Sequence, residues 1–425
     1  MLKDSTLKSP GRPLGQIETS MALMHELNGG TQTASLLSFT GPLSTNTLLR
    51  AAEKLHWRHP LLQSRIVEDA QALHFKTDVP FTQITITNHT LLAGQTPAQL
   101  LQRQLDSVLD AQRHLWRLLL LSAPDRGSHH LLLTCHHSIA DAVSLAQLLG
   151  ELLSLCESQQ IGGQMHIPQE PLADALESHM EPAQEPLPPC ETPTPVRFMQ
   201  SVPLARRRTG VRRLELDGHT SDELRRLAKA QGLSLNSLLA GALLKATNEV
   251  ELGKQIRINT AVSLRQRAAR PIGDGAIGCF IGVASHRLAV AARSLTSLAV
   301  DYQRQLHASL PQMARRQPEQ ELEAMRTRIH SLRSCQSFAH GIALTNHGAI
   351  NFPHYRHFKV LDYANAASRV VGNFAVALHV TSYASALSLC FTFPVPLMDE
   401  ALVRLLKSKM RQNLLDFISN SRATP

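Results

Sequence analysis

Aromatic residues are scarce in this 425-residue chain, at 4%, so its interior has to be packed mainly by Leu, Ala, Val and Ile. Cysteine is equally sparse. The six cysteines (Cys135, Cys156, Cys190, Cys279, Cys335 and Cys390) lie far apart without a Cys-x-x-Cys pair, which argues against a disulfide framework and a zinc knuckle. Reduced thiols in a cytoplasmic protein are expected. The segment from Met1 to Gln16 is polar and carries Lys3, Lys8 and Arg12, so it lacks the apolar core of a secretory signal. The longest run of apolar residues and glycine, Gly275 to Ala284, is too short to span a bilayer.

Acidic residues are outnumbered, 34 against 43 Lys and Arg, giving a formal net charge of +9. Such a balance favours anionic partners, including nucleic acids, membrane surfaces, coenzyme A phosphates and acidic carrier proteins. Arg206, Arg207, Arg208, Arg212 and Arg213 form one basic cluster; Arg315, Arg316, Arg326, Arg328 and Arg333 form another. Neither is interleaved with the aromatics of a single-strand nucleic-acid surface, and each is read as a solvated basic face or linker end. Docking of an anionic substrate or carrier is the competing reading.

The hydrophobic fraction, 43%, is that of an ordinary globular protein, and the length suits two domains. Between Gln169 and Pro203 the chain is rich in Pro and Glu, as in Glu185-Pro186-Leu187-Pro188-Pro189, which marks a linker. The expected division is therefore 1–180, a linker over 181–203, and 204–425. No repeat is visible.

In the first half, helical spacing predicts helices over Ser44 to His56 and Pro97 to Leu109, and alternation predicts strands over Ala34 to Thr40, Leu61 to Val67 and Gln83 to Thr87. Two largely apolar strands follow, Trp116 to Leu121 and Leu131 to Thr134, then an amphipathic helix from Asp141. In the second half, helices are expected over Ser221 to Ala230, Ser234 to Thr247, Leu295 to Leu310, Pro318 to Leu332 and Asp399 to Phe417. Strands are expected over Gln255 to Ser263, Gly341 to Thr345, Phe374 to Thr381 and Ala386 to Phe393. Mixed helix and sheet in both halves, without regular βαβ alternation, predicts an α+β protein of two layered domains.

The chemistry centres on His136-His137-Ser138-Ile139-Ala140-Asp141-Ala142, where two histidines leave a buried strand. Neighbouring side chains on a strand point to opposite faces, so one histidine packs while the other is free to work. A neutral imidazole near its ordinary pKa can take a proton from an alcohol or amine attacking an activated acyl group. Other readings stay open on residues alone: a structural histidine pair, like His129-His130 upstream; a metal site, for which adjacent strand histidines are poorly placed; and a thiol nucleophile at Cys135, for which no oriented partner can be named.

The same segment resembles the His-His-x-x-x-Asp-Gly motif of the condensation-domain superfamily, which includes nonribosomal peptide condensation domains, chloramphenicol-type acetyltransferases and polyketide-associated acyltransferases. Ala142 stands in place of the usual glycine. The resemblance extends to Arg58-His59-Pro60-Leu61-Leu62-Gln63-Ser64-Arg65, to Leu233-Ser234-Leu235-Asn236-Ser237-Leu238-Leu239, and to Val262-Ser263-Leu264-Arg265, where Ser263 replaces an Asp. Leu344-Thr345-Asn346-His347-Gly348 resembles the family's Ser/Thr-Asn-x-Gly segment. The Asp-Phe-Gly-Trp-Gly motif of peptide-forming and plant relatives is not evident where Val371-Gly372-Asn373-Phe374 stands. That pattern favours the stand-alone polyketide-associated group, similar to phthiocerol dimycocerosyl transferase.

The resemblance implies two chloramphenicol acetyltransferase-like α/β sandwich domains with an active-site channel at their interface. It implies that His137 is the general base, that His136 supports it, and that Asp141 shapes the loop through an ion pair with Arg265. Asn346 and Gly348 would lie along the substrate channel. The implied reaction moves an acyl group from a coenzyme A or carrier-protein thioester, delivered in trans, to a hydroxyl or less readily an amine, with no metal or other cofactor. Neither nucleic acid nor an integral membrane segment is expected. The alternative is a non-catalytic module that binds a carrier protein or recruits a partner enzyme.

Overall fold

The computed structural model describes residues 11–123, 127–160, 168–183, 196–273, 275–338 and 341–423. Residues 184–195 of the Pro-rich stretch, and with them Cys190, lie outside the described residues. Two sheets organise the chain.

The first sheet has five strands in the spatial order Lys359–Ala367, Thr33–Thr40, Ser128–Cys135, Trp116–Ala123 and Thr85–Thr90. All neighbours are antiparallel except the last pair. Both faces are covered, and alternation along each strand serves two cores at once. Leu37 and Phe39 pack with Leu131, Leu133 and Cys135 against the helices Thr45–Arg58 and Ala142–Gln160. On the opposite face Ala34, Leu36 and Leu132 pack against Leu100, Leu101 and Leu105 of the helix Pro97–Asp106. Local chemistry agrees with these bounds. Ser44 caps the helix at Thr45 by accepting from the Thr47 N–H, and Thr96 with Gln99 forms a capping box ahead of Pro97.

The second sheet has six strands in the order Ile281–Ala289, Gln255–Ser263, Ile342–Ala349, Val376–Tyr383, Ala386–Val395 and Arg208–Leu216. Ile342–Ala349 runs parallel to both its neighbours; the other pairs are antiparallel. The helices Leu235–Glu249, Leu295–Met313 and Glu400–Ala423 bury Leu243, Leu298 and Leu406 in the core beside it.

The two sheets do not follow the linear division of the chain. Lys359–Ala367 comes from the second half yet pairs along its length with Thr33–Thr40 of the first. Among the described residues no helix is long and apolar enough to cross a membrane.

The first arginine cluster is only in part the solvated face or linker end expected of it: Arg206 and Arg208 are exposed, but the other three are engaged. It enters the strand Arg208–Leu216, where Arg207 is buried and donates to the carbonyls of Val202 and Val371 at 3.0 and 2.8 Å. Arg212 and Arg213 point to opposite faces and are ion-paired to Glu400 and Asp362 respectively. In the second cluster Arg326 reaches Glu26 and Glu68, and Arg315 pairs with Glu181.

Candidate active site

The strand Ser128–Cys135 ends where the site begins. The His136 N–H still bonds to the Leu115 carbonyl, continuing the ladder for one residue, and the Ile139 N–H then turns back to the His136 carbonyl. That tight reversal splits the two histidines. His136 is fully buried; its Nδ1 accepts from the Ser138 N–H and faces the Ser138 hydroxyl at 2.7 Å. Its ring lies 4.4 Å from that of His25, and burial holds its pKa well below the ordinary value. His137 turns the other way and forms part of the wall of a cavity of about 590 Å³. Burial lowers its pKa too, so its imidazole is neutral at pH 7. Its Nδ1 faces the Cys279 sulfur at 3.8 Å.

Asp141 is tied down on every side. Its carboxylate caps the following helix by accepting from the Ser144 N–H at 2.8 Å, and it accepts from the Phe280 N–H at 3.2 Å. Arg265, just past the strand Gln255–Ser263, places Nη2 3.2 and 3.4 Å from its two oxygens. The guanidinium also donates to Ser144 Oγ and to the Ala276 carbonyl, and lies over the Phe280 ring at 4.6 Å. The Asp141 N–H donates to Gly278, so residues 276–280 are stitched to the motif loop. Asp141 is therefore committed to holding the loop, and its oxygens have no capacity left to orient an imidazole as a hydrolase carboxylate would.

Ala142 opens the helix Ala142–Gln160 and is not among the residues with positive φ. Its methyl group therefore carries no backbone penalty where relatives have glycine. Asn346 lines the cavity, with its side-chain oxygen accepting from the Gly348 N–H at 3.0 Å. Gly348 adopts φ +74° beside a register shift in its strand, with open space where a Cβ would stand. The glycine answers to backbone angle, not to close approach.

Cys135 is a core residue, fully buried in the same apolar cluster as Leu131 and Leu133, and burial raises its thiol pKa. It does not meet the cavity, which removes the thiol-nucleophile reading. Among the described residues no three His, Cys, Asp or Glu side chains come together to hold a metal ion.

Several lining residues were not singled out as site residues from the sequence. His347 and His379 stand on the neighbouring strands Ile342–Ala349 and Val376–Tyr383, with rings 6.1 Å apart, and burial pushes His347 down to about 4. Asn365 and Arg369 enter from the strand Lys359–Ala367 and just beyond it, and Asn373 follows. Their only sequence signal was that unpredicted strand, whose small residues Ala364, Ala366 and Ala367 carry little alternation. Both sheets thus contribute walls, and a chamber between them lined by the neutral imidazoles of His137, His347 and His379 is suited to holding two reactants and moving one proton.

A family model described as the condensation domain matches residues 21–424. Among solved structures, the fold is similar to polyketide synthase associated protein 5 from Mycobacterium tuberculosis at a TM-score of 0.69 and 18% identity, covering 96% of this chain and 100% of that one. Trichothecene 15-O-acetyltransferase from Fusarium sporotrichioides gives a TM-score of 0.73 at 12% identity, over 96% and 95% of the two chains. The first condensation domain of the CDA synthetase gives 0.69 at 16% identity, over 96% of each. No curated protein matches the chain significantly. The match over nearly the whole length, on the chloramphenicol acetyltransferase-like fold that these structures share, shows that the chain belongs to the condensation-domain family.

Proposed function

We propose that this protein transfers an acyl group from a coenzyme A or carrier-protein thioester to a hydroxyl, or less readily an amine, with His137 as general base. The observation that carries the reading is the division of labour in the motif: His136 and Asp141 are consumed by structure, while His137, alone of these three, turns a neutral imidazole to the cavity that His347 and His379 also line. With Nδ1 turned toward Cys279, Nε2 is the nitrogen left to receive the acceptor proton. The oxygen attacks the thioester carbonyl as its proton passes to Nε2. Collapse of the tetrahedral intermediate breaks the C–S bond, and the imidazolium returns the proton to the departing thiolate. Confinement of both substrates supplies orientation, worth about 7 to 11 kcal/mol in favourable cases.

The test combines purified protein with acyl-coenzyme A and acyl-carrier donors and a panel of alcohols and amines, following thiol release and product mass. Thiol release coupled to product is expected, and folded His137→Ala should lose about 10²- to 10⁴-fold in turnover. Full turnover in that variant would remove His137 as the base. Stable carrier binding without transfer, unchanged by His137→Ala, would instead make the protein a binding module.

A further inference from the structure

Arg369 sits just past the strand Lys359–Ala367, with its backbone N–H donating to Thr209 Oγ1 at 2.9 Å. Its side chain turns into the cavity wall, where Nη1 reaches only the adjacent Ser368 carbonyl and the guanidinium lies 5.5 Å from the Phe374 ring centroid. Its buried Nε has no acceptor. Among the described residues no carboxylate is within ion-pair distance of it, whereas Arg213 and Arg265, comparably enclosed, each have one.

The cavity offers no internal counter-ion. Asp141 is the one carboxylate among its described lining residues, and Arg265 already occupies it. His137, His347 and His379 are neutral because burial lowers each of them. Burial brings Arg369 down only to about 10, so it stays cationic at pH 7. The Asn373 side chain, mostly buried and also lining the cavity, supplies a second polar group on the same wall. A desolvated cation without a partner is unfavourable unless an anion is brought to it.

Building on the acyl-transfer reading, we propose that Arg369 receives a carboxylate carried by a substrate within the cavity, so that the acceptor or the acyl group is itself an acid. The phosphates of a pantetheine thioester do not fit this role, because they lie at the far end of the arm from the reacting carbonyl. A carboxylate on a hydroxy acid or on a dicarboxylic acyl group sits close to the reacting atoms. The two sources share one chemistry and are separable by experiment.

The experiment measures binding to the full-length protein by calorimetry in two arms. One arm compares short, medium and long 3-hydroxy acids with their methyl esters; the other compares glutaryl-coenzyme A with butyryl-coenzyme A. In at least one arm the acid should bind about 10- to 100-fold tighter than its neutral partner, the range expected of a charge-assisted pair. The arm that shows the preference identifies the source. Arg369→Gln should bring the pair near parity and Arg369→Lys should keep part of the preference, each checked for folding by thermal melting. Parity in both arms for the wild-type protein overturns the proposal, as does a preference that survives in folded Arg369→Gln. A preference without thiol release would keep the carboxylate site and remove acyl transfer; thiol release with parity would do the reverse.

Discussion

His137 and Asp141 sit four residues apart in one loop, yet substitution should separate their effects. Because burial lowers the His137 pKa, the imidazole stays unprotonated at pH values where an exposed histidine, with its pKa near 6.5, is already half charged. A base must be neutral to accept a proton. The acidic limb of turnover should therefore lie below pH 6.5, as a pH profile of thiol release will reveal. Asp141 acts through the loop: removing it leaves Arg265 facing a vacancy and frees the helix cap at Ser144. Asp141→Ala should cost about 3 to 5 kcal/mol in stability, read from urea unfolding. The negative charge of Asp141 also raises the His137 pKa, so in the protein that remains folded the acidic limb should move to lower pH. A limb that stays at its wild-type position would show that Asp141 acts through the loop alone.

Elements with strong local pattern were readable in the sequence, and those held by tertiary partners were not. The strand Gln255–Ser263 has the bounds expected of it, and the helix Ala142–Gln160 follows its apolar face. The strand Arg208–Leu216 was hidden because adjacent Arg212 and Arg213 break apolar alternation. Their carboxylates come from Glu400 and Asp362, more than a hundred residues away, and no local window contains them. The same distance hid Arg369, while the motif loop, local and contiguous, was found. Helix contacts give a sharper case. Gly241 lies where Leu235–Glu249 crosses Leu295–Met313; a Cβ there would stand 2.7 Å from the Leu295 carbonyl oxygen and 2.9 Å from Ala299 Cβ. Gly241→Ala gains helix propensity of about 1 kcal/mol but forces two backbones apart, an overpacking cost of about 1 to 3 kcal/mol. A net loss in unfolding free energy is expected, and a stabilised variant would show that the helices can separate freely.

At the scale of the whole molecule, buried neutral histidines set the response to acid. His25, His56, His136, His137, His347 and His379 all have their pKa values lowered chiefly by burial, His56 and His347 to about 4. In the unfolded chain each titrates near 6.5. Below that pH the unfolded state binds protons that the folded state refuses, so stability falls as pH drops from about 6.5 toward 4. For His56 alone the shift amounts to about 3 kcal/mol across that window. Glu177 and Asp106 oppose the trend, since burial raises their pKa values and the folded state gains protons in acid. Asp78 and Asp301, lowered mainly by hydrogen bonds from Arg65 and Arg293, add their losses only nearer pH 4 and below. With His114, His129, His130 and His286 also lowered by burial, ten histidines against two carboxyls leave the balance with the histidines. Urea midpoints measured at half-unit steps should decline from pH 7 to pH 4.5, and His56→Gln, which gives up one titrating group, should make that decline shallower relative to its own value at pH 7. A midpoint that stays flat over this range would mean that the histidine sites admit water and take up protons without unfolding.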